Sequence, residues 1–359
     1  MRIFLLFAPG GVVQELCRAG HEVFACNSST EFLDMTPFAP RFQSHWIQAH
    51  QKLSPTAIRE IRQRLHQFQP DVIQSFTPFG LAWVNLAQGW SPFSSRQRAA
   101  VVSFRGITKR LSRFDPANWL TFYHPRVRWH ACESFAVQDS MVQSRFSRSR
   151  CPVTYNTVSI GPPSQTSADT RAAWNIPTDR FLFGTIATIR PVKGIDILLR
   201  AIQQNRNENL HWVIMGSGKD ETVERLLRDP QVQSRVTMLG HGHAASSHLH
   251  ALDAFVMPSR SEGLCRSLIE AMLQGRPAVV SDAGGMKELV RHGIDGLVVP
   301  REEPDRLAEA MFDLAASPHV TAMGVSARDR AMQLCGAEKV TEKLLAIYRE
   351  AIASQRSAT

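Results

Sequence analysis

Glu262 and Glu270 stand eight residues apart, one just before a helical pattern and one inside it. Eight residues of helix advance about 12 Å and turn about 80° past two full turns. Two carboxylates so placed can face one ligand from different heights. A helix begins between them, and its first unpaired N–H groups, at the positive end of the helix dipole, suit a phosphate. A ligand with hydroxyls at both ends and a diphosphate in the middle fits: a nucleotide sugar. The same spacing also fits a plainer arrangement, a solvated Glu270 and an acid favouring the helix dipole.

Two cations supply complementary charge. Arg190 and Lys193 flank the turn in ATIRPVKGID, between an expected strand at 181–187 and an expected helix at 195–203. At a strand's carboxyl end they can neutralise a diphosphate, because unit charges about 4 Å apart attract by roughly 4 kcal/mol near a protein surface. A solvated lysine before a glycine is the other reading of Lys193. The elements that must hold these groups are legible around them. Ala254–Met257 reads as a buried strand, followed by a polar loop at 258–262 and the turn Gly263, Leu264, Cys265. A helix then runs to about Leu273, with Leu268, Ile269, Met272 and Leu273 on one stripe, and Gly275 and Pro277 end it. Ala278–Ser281 reads as a second buried strand leading to Gly284 and Gly285.

Residues 257–285 read MPSRSEGLCRSLIEAMLQGRPAVVSDAGG. The PS-x-x-EG, LIEAM, G-x-P-x-V and D-x-GG within it resemble the signature of glycosyltransferase family 4, retaining enzymes of the GT-B fold. The resemblance is dense from 181 to about 300 and thin in the first half. It implies an α/β chain with two Rossmann-like parallel-sheet domains facing a central cleft. It implies transfer of a sugar from a nucleotide-diphosphate sugar to a hydroxyl of a glycan or lipid-linked acceptor, with retained anomeric configuration, as in cell-surface polysaccharide or lipopolysaccharide synthesis. By the same resemblance Glu262, with the amides of Gly263, Leu264 and Cys265, contacts the transferred sugar, and Glu270 holds the nucleotide ribose. Cys265 stands where the family often has glycine and narrows the space beside the sugar. Lys193 matches the family's lysine. The family's arginine usually stands five residues earlier, at Thr188 here, so Arg190 takes that role only if the loop bends. Gly10 and Gly11 match glycines that lie beside the donor diphosphate and acceptor. Arg105, in SFRGI, stands where many members carry the histidine of a His-Gly pair. An arginine stays protonated and cannot be a base, but its fork of donors can stabilise a phosphate; a surface arginine capping a strand end is the alternative. Backbone near Gly216 and Gly240 is expected to read the donor base. No DxD metal motif or protein nucleophile is evident, so metal-independent transfer is expected, with no cofactor beyond the donor.

Composition limits the alternatives. The 359 residues, 43% apolar and 20% charged, suit two globular domains. Six cysteines without metal spacing read as reduced, buried thiols of a cytoplasmic protein. No apolar run approaches the roughly 20 residues of a membrane helix. MRIFLLFAPGG superficially resembles a signal peptide, but its short apolar run ending in Pro-Gly-Gly reads better as a first strand. Of the net +9 charge, residues 96–150 hold eleven Lys/Arg against three Asp/Glu, a net +8. Lys109 to Arg128 mixes bases with Phe114, Trp119, Phe122 and Tyr123. That mixture suits peripheral attachment to an anionic membrane surface, and no nucleic-acid signature accompanies it. Aromatic core and a solvated basic surface are the alternatives.

Strands and helices alternate along the chain, as in a parallel sheet covered on both faces. The first half reads as strand 2–7, loop 8–11, a helix at 12–19 about two turns (roughly 11 Å) shorter than in similar chains, and strand 21–25. A helix at 54–68 follows, capped by Ser54, then strands at 71–74 and 99–104 and last strands at 128–131 and 152–155. Expected boundaries are an acceptor-binding domain at 1–157, a Pro/Gly/Ser-rich linker at 158–178, a nucleotide-sugar domain at 179–335, and a helix within 336–359 returning to the first domain. Two rivals share these features: a nucleotide-sugar epimerase of the same fold and a non-catalytic nucleotide-sugar-binding protein.

Overall fold

The computed structural model describes residues 1–27, 35–47, 54–89, 99–158, 160–161, 165–204, 207–240 and 245–356. It divides into two compact units, Met1–Thr157 with Gly336–Thr359, and Val158–Cys335.

In the first unit the apolar runs become β1 (Arg2–Leu6), β2 (Glu22–Asn27), β3 (Phe42–Trp46), β4 (Val72–Ser75), β5 (Ala100–Arg105) and β6 (Val127–Cys132), ordered β3-β2-β1-β4-β5-β6. All pairs are parallel. Strands buried on both faces, such as β4 and β5, need helices above and below. One face of the sheet, with Ile3, Leu5 and Val102, packs on Val12 and Leu16 of helix Gly10–Arg18 and on Leu344 and Tyr348 of helix Ala337–Arg356. The other, with Phe4, Leu6 and Ile73, packs on Ile61 and Trp83 from helices Pro55–Phe68 and Pro78–Ala87. Ser54 caps the first of these through Ala57 N–H at 3.2 Å.

The second unit repeats the plan with β7 (Phe181–Ile186), β8 (Leu210–Met215), β9 (Val236–Met238), β10 (Ala254–Met257), β11 (Ala278–Ser281) and β12 (Gly296–Val299), ordered β12-β11-β10-β7-β8-β9. In both sheets the order reverses beside the first strand, between β1 and β4 and between β7 and β10. Open parallel sheets bind ligands at such a switch point, beyond the carboxyl ends of the strands.

Four expectations need correction. Gly10 and Gly11 form the first turn of their helix after Pro9, with Val12 N–H donating to the Pro9 carbonyl at 3.1 Å, instead of lying in a loop. Residues 152–155 supply one isolated bridge, Cys132 with Val153, instead of a strand. Residues 158–178 include helix Ser167–Ala173, whose Arg171 is buried against Asp253 at 2.9 Å within the second unit. Of the four aromatics assigned to an interface, Phe122 is core, and Tyr123 is tied to the Ser144 carbonyl at 2.9 Å. All six cysteines are free and buried.

Candidate functional site

The loops after β7 and β10 leave the sheet side by side at the switch point. The first carries Arg190 and Lys193, the second Glu262. Lys193 Nζ donates to Glu262 Oε1 at 2.5 Å, and Ser259 Oγ donates to the same oxygen at 2.9 Å. Sixty-nine residues of sequence separate this cation and carboxylate. Backbone contacts close enough to exclude a side chain fix the approach. Gly194, at φ +67°, would place a Cβ 2.0 Å from the Pro258 carbonyl oxygen, and Gly284, at φ +53°, would place one 1.8 Å from that of Glu262. Both are positive-φ positions that glycine takes without penalty. The glycines after β11 thus seat the Glu262 loop.

Glu262 leads through Gly263 and Leu264 to Cys265, which holds φ +69° as a non-glycine. Its thiol lies 3.6 Å from Ser267 Oγ, and burial first, then the Glu262 charge, push it up to about 12, so it stays protonated at neutral pH. Helix Arg266–Leu273 starts there with no side-chain cap. Glu270, in its middle, is 8% exposed and accepts from Arg266 Nε at 3.1 Å. Burial raises its carboxyl above the usual range, against the opposing charge and hydrogen bond of Arg266. Arg190 is exposed just before the turn Pro191–Lys193 and makes no ion pair among the described residues. Gly216, after β8, lies against the Ala187 carbonyl, and Gly240, after β9, borders open space.

The arrangement is a carboxylate held by a lysine and a serine, beside an uncapped helix start, with a second buried carboxylate further along that helix. A cavity of about 860 Å³ lined by Arg171, Phe181, Asp253 and Arg276 lies at the opposite, amino-terminal edge of the same sheet, where Arg171 and Asp253 pair with each other. The chemistry-bearing loops are at the other edge.

Comparison with known proteins agrees with this plan. The family model described as Glycosyl transferases group 1 matches residues 180–317, and the one described as Glycosyltransferase Family 4 matches residues 11–161. Between them the two models match both halves of the chain, one as a family 4 domain and the other as a group 1 domain, in the fold of GT-B glycosyltransferases of the family 4/1 type. The D-inositol 3-phosphate glycosyltransferase of Saccharomonospora viridis is 29% identical over 212 residues, 54% of this chain and 48% of that protein. The chain spans about half the length of the curated relatives it matches. Anabaena Alr3699/HepE in complex with UDP and glucose superposes with TM-score 0.75 at 20% identity, over 98% of this chain and all (100%) of that one. A glycosyltransferase from Rickettsia africae superposes with TM-score 0.77 at 14% identity, over 98% of each chain. Both likenesses show the fold.

In this glycosyltransferase chain the remaining candidate residues stand in the first unit. Gly10 and Gly11 follow β1, and Arg105 ends β5, with β4 between those strands. Arg105 is buried, not a surface cap. Its Nη2 donates to the Lys109 carbonyl at 2.7 Å, its guanidinium lies 5.0 Å from the Phe122 ring centroid, and its Nε is buried without a partner. Burial lowers its pKa from the ordinary arginine value.

Sequence reasoning missed Arg266 and Ser259, although both sit at informative spacings. Arg266 precedes Glu270 by four residues on one helix face, and Ser259 precedes Glu262 by three. In the basic segment Arg148 is spent on Asp139 at 2.7 Å, and Arg150 stacks 4.6 Å from Trp129. Arg96 and Arg98 lie outside the described residues. Lys109, Arg110 and Arg113 are exposed beside Phe114, itself 97% exposed, and Trp119.

Proposed function

We infer that the chain is a retaining, hexosyl-type glycosyltransferase that moves a sugar from a nucleotide-diphosphate sugar to an acceptor hydroxyl. The Lys193–Glu262 pair at the β7/β10 switch point carries this reading. Its two described bonds use Glu262 Oε1, which leaves Oε2 to accept a sugar hydroxyl. Glu270 likewise uses Oε1 for Arg266, which leaves Oε2 for the ribose. Lys193, Arg190 and the uncapped helix start after Cys265 offset the charge on the departing diphosphate. Stabilisation of developing charge by preorganised groups is usually the largest catalytic contribution. Cations and a helix end in that place support transfer without a metal. The acceptor hydroxyl attacks from the face the diphosphate leaves, and Glu262, engaged by Lys193 and Ser259, orients the sugar instead of forming a bond to it.

The acceptor we propose is a glycan or lipid-linked molecule met at a membrane surface. Exposed Lys109, Arg110 and Arg113 beside Phe114 and Trp119 support peripheral attachment, as do basic residues near anionic lipid, each worth about 1 kcal/mol. Among the described residues no helix is long and apolar enough to cross a membrane. The relatives named for inositol 3-phosphate make a soluble phosphorylated polyol the competing acceptor.

The test is calorimetric titration with UDP-, GDP- and ADP-sugars, then transfer to an acceptor panel with the product anomer read by NMR. Binding, slow donor hydrolysis without acceptor, and retained configuration are expected. Binding with neither hydrolysis nor transfer would make the chain a nucleotide-sugar-binding protein, and an inverted product would refute retention.

A further inference from the structure

Arg260 belongs to none of the groups assigned above, yet its contacts join the two loops that make the site. Its backbone N–H donates to the Val192 carbonyl at 2.9 Å. Its Nη1 donates to the Pro191 carbonyl and, at 2.7 Å, to Asp196 Oδ1, while Nη2 donates to Asp196 Oδ2 at 2.9 Å. Its Nε donates to Glu302 Oε1, in the segment after β12, at 2.5 Å. Pro191 and Val192 form the turn that carries Lys193. Asp196 is buried in the first turn of helix Ile195–Gln204. Arg260 itself follows Ser259 and precedes Glu262 by two residues. The Arg260–Asp196 pair is bidentate, which adds directional constraint to charge attraction. Asp196 stays ionised, its carboxyl held below the usual range chiefly by the hydrogen bond from Arg260.

We propose that Arg260 is the positioning residue of the donor site, fixing the Lys193 turn onto the Glu262 loop and so setting where the lysine meets a donor diphosphate. This rests on the donor-site reading above. Lys193 has a long side chain, and besides its bond to Glu262 the placement of its backbone sets how far Nζ reaches. The Gly194–Pro258 approach and the Arg260 N–H to Val192 hold the backbone of that turn, and the Arg260 guanidinium ties Pro191 before Lys193 to Asp196 after it. Without the fork the turn keeps its sequence and its charge and loses its register against the carboxylate.

The experiment compares UDP with uridine, and GDP or ADP with their nucleosides where these bind better, by calorimetry on the full chain. Loss of one well-placed charged hydrogen bond weakens binding about ten- to a hundred-fold, so Arg260→Gln should weaken the diphosphate about ten-fold or more and leave the nucleoside unchanged. Arg260→Lys keeps the charge and loses the fork, and should behave like Arg260→Gln. Asp196→Asn should repeat the pattern from the other side of the pair, and it carries the comparison if the Arg260 variants do not fold. In a Lys193→Met background Arg260→Gln should cost nothing further. Equal losses for diphosphate and nucleoside, full affinity in Arg260→Lys, or additive losses in the double variant would overturn the role of Arg260. A wild-type protein that binds none of UDP, GDP and ADP, or a Lys193→Met variant that binds them normally, would overturn the donor reading itself, and this role with it.

Discussion

Replacing Glu270 by glutamine should separate binding from stability, with opposite signs. In the unliganded protein the carboxylate is buried and has one described partner, the 68%-exposed Arg266 at 3.1 Å. An i,i+4 pair with one solvated member is worth about 0.3–0.5 kcal/mol, so deleting it costs little. Burial holds the folded-state pKa of Glu270 above its ordinary 4.5. The folded protein therefore binds the proton more tightly than the unfolded chain, and this group's contribution to stability falls as pH rises from about 4.5 through the raised value. Glutamine has no such slope. The melting temperature of Glu270→Gln relative to wild type should rise across that window and stay level or higher at pH 7. Donor binding should move the other way. A charged hydrogen bond to a ribose hydroxyl is worth about 1.5–3 kcal/mol, so Kd should rise about ten- to hundred-fold. Calorimetric titration with the preferred nucleotide, with thermal scans from pH 4 to 7, measures both. Unchanged affinity would refute the ribose role, and a variant several kcal/mol less stable at pH 7 would show that the carboxylate is structural.

Transfer should persist in chelator, and activity lost there and restored by magnesium would show that a metal completes the site. The protein should co-sediment with anionic vesicles at low salt, less so in high salt or after charge reversal at Lys109, Arg110 and Arg113, since such attraction is screened within a Debye length; equal binding to neutral vesicles would refute the electrostatic reading. Burial holds His130 down at about 3, and His124 and His211 at about 4. Their folded pKa values lie below the ordinary 6.5, so the stability they contribute is complete above 6.5 and drains away as pH falls towards about 4. Thermal scans at pH 7 and pH 4.5 should show that loss, and a flat profile would contradict it.

Most of the second sheet was legible in the sequence because its strands are short apolar runs closed by glycine or proline. Helix Arg266–Leu273 ends where its apolar stripe does and begins at the Gly263-Leu264-Cys265 turn. β3 was not legible: FQSHW is a largely exposed edge strand with no apolar alternation to mark it. β12, GLVV, was missed although β10 and β11 are equally short; it opens on a glycine and its middle residues are only half-buried, where those two strands are buried throughout. Residues 152–155 have strand-like composition but pair only through Val153. At the site, motif spacing located Glu262, Glu270 and Lys193 separately. Their ionic partners divide by distance along the chain. The i,i+4 pair of Arg266 and Glu270 could be read from spacing, whereas Lys193 with Glu262 and Arg260 with Asp196 are brought together only by β7 and β10 lying side by side.

Helix Ala337–Arg356 buries Tyr348 completely against Gln74 and sends Ser354 to Trp129 Nε1 at 3.1 Å. The first unit is therefore built from residues that leave the ribosome before 158–335 and residues that leave it after the whole of that stretch. Domains tend to fold in the order of their synthesis, but here the amino-terminal sheet must wait with Ile3, Leu5 and Val102 incompletely covered while the contiguous second unit can already close. That waiting interval is when the nascent chain is most exposed to aggregation and to chaperones. A shortened chain ending before Gly336 would remain in that state, with a closed second unit attached to a sheet that has one face covered only by helix Gly10–Arg18.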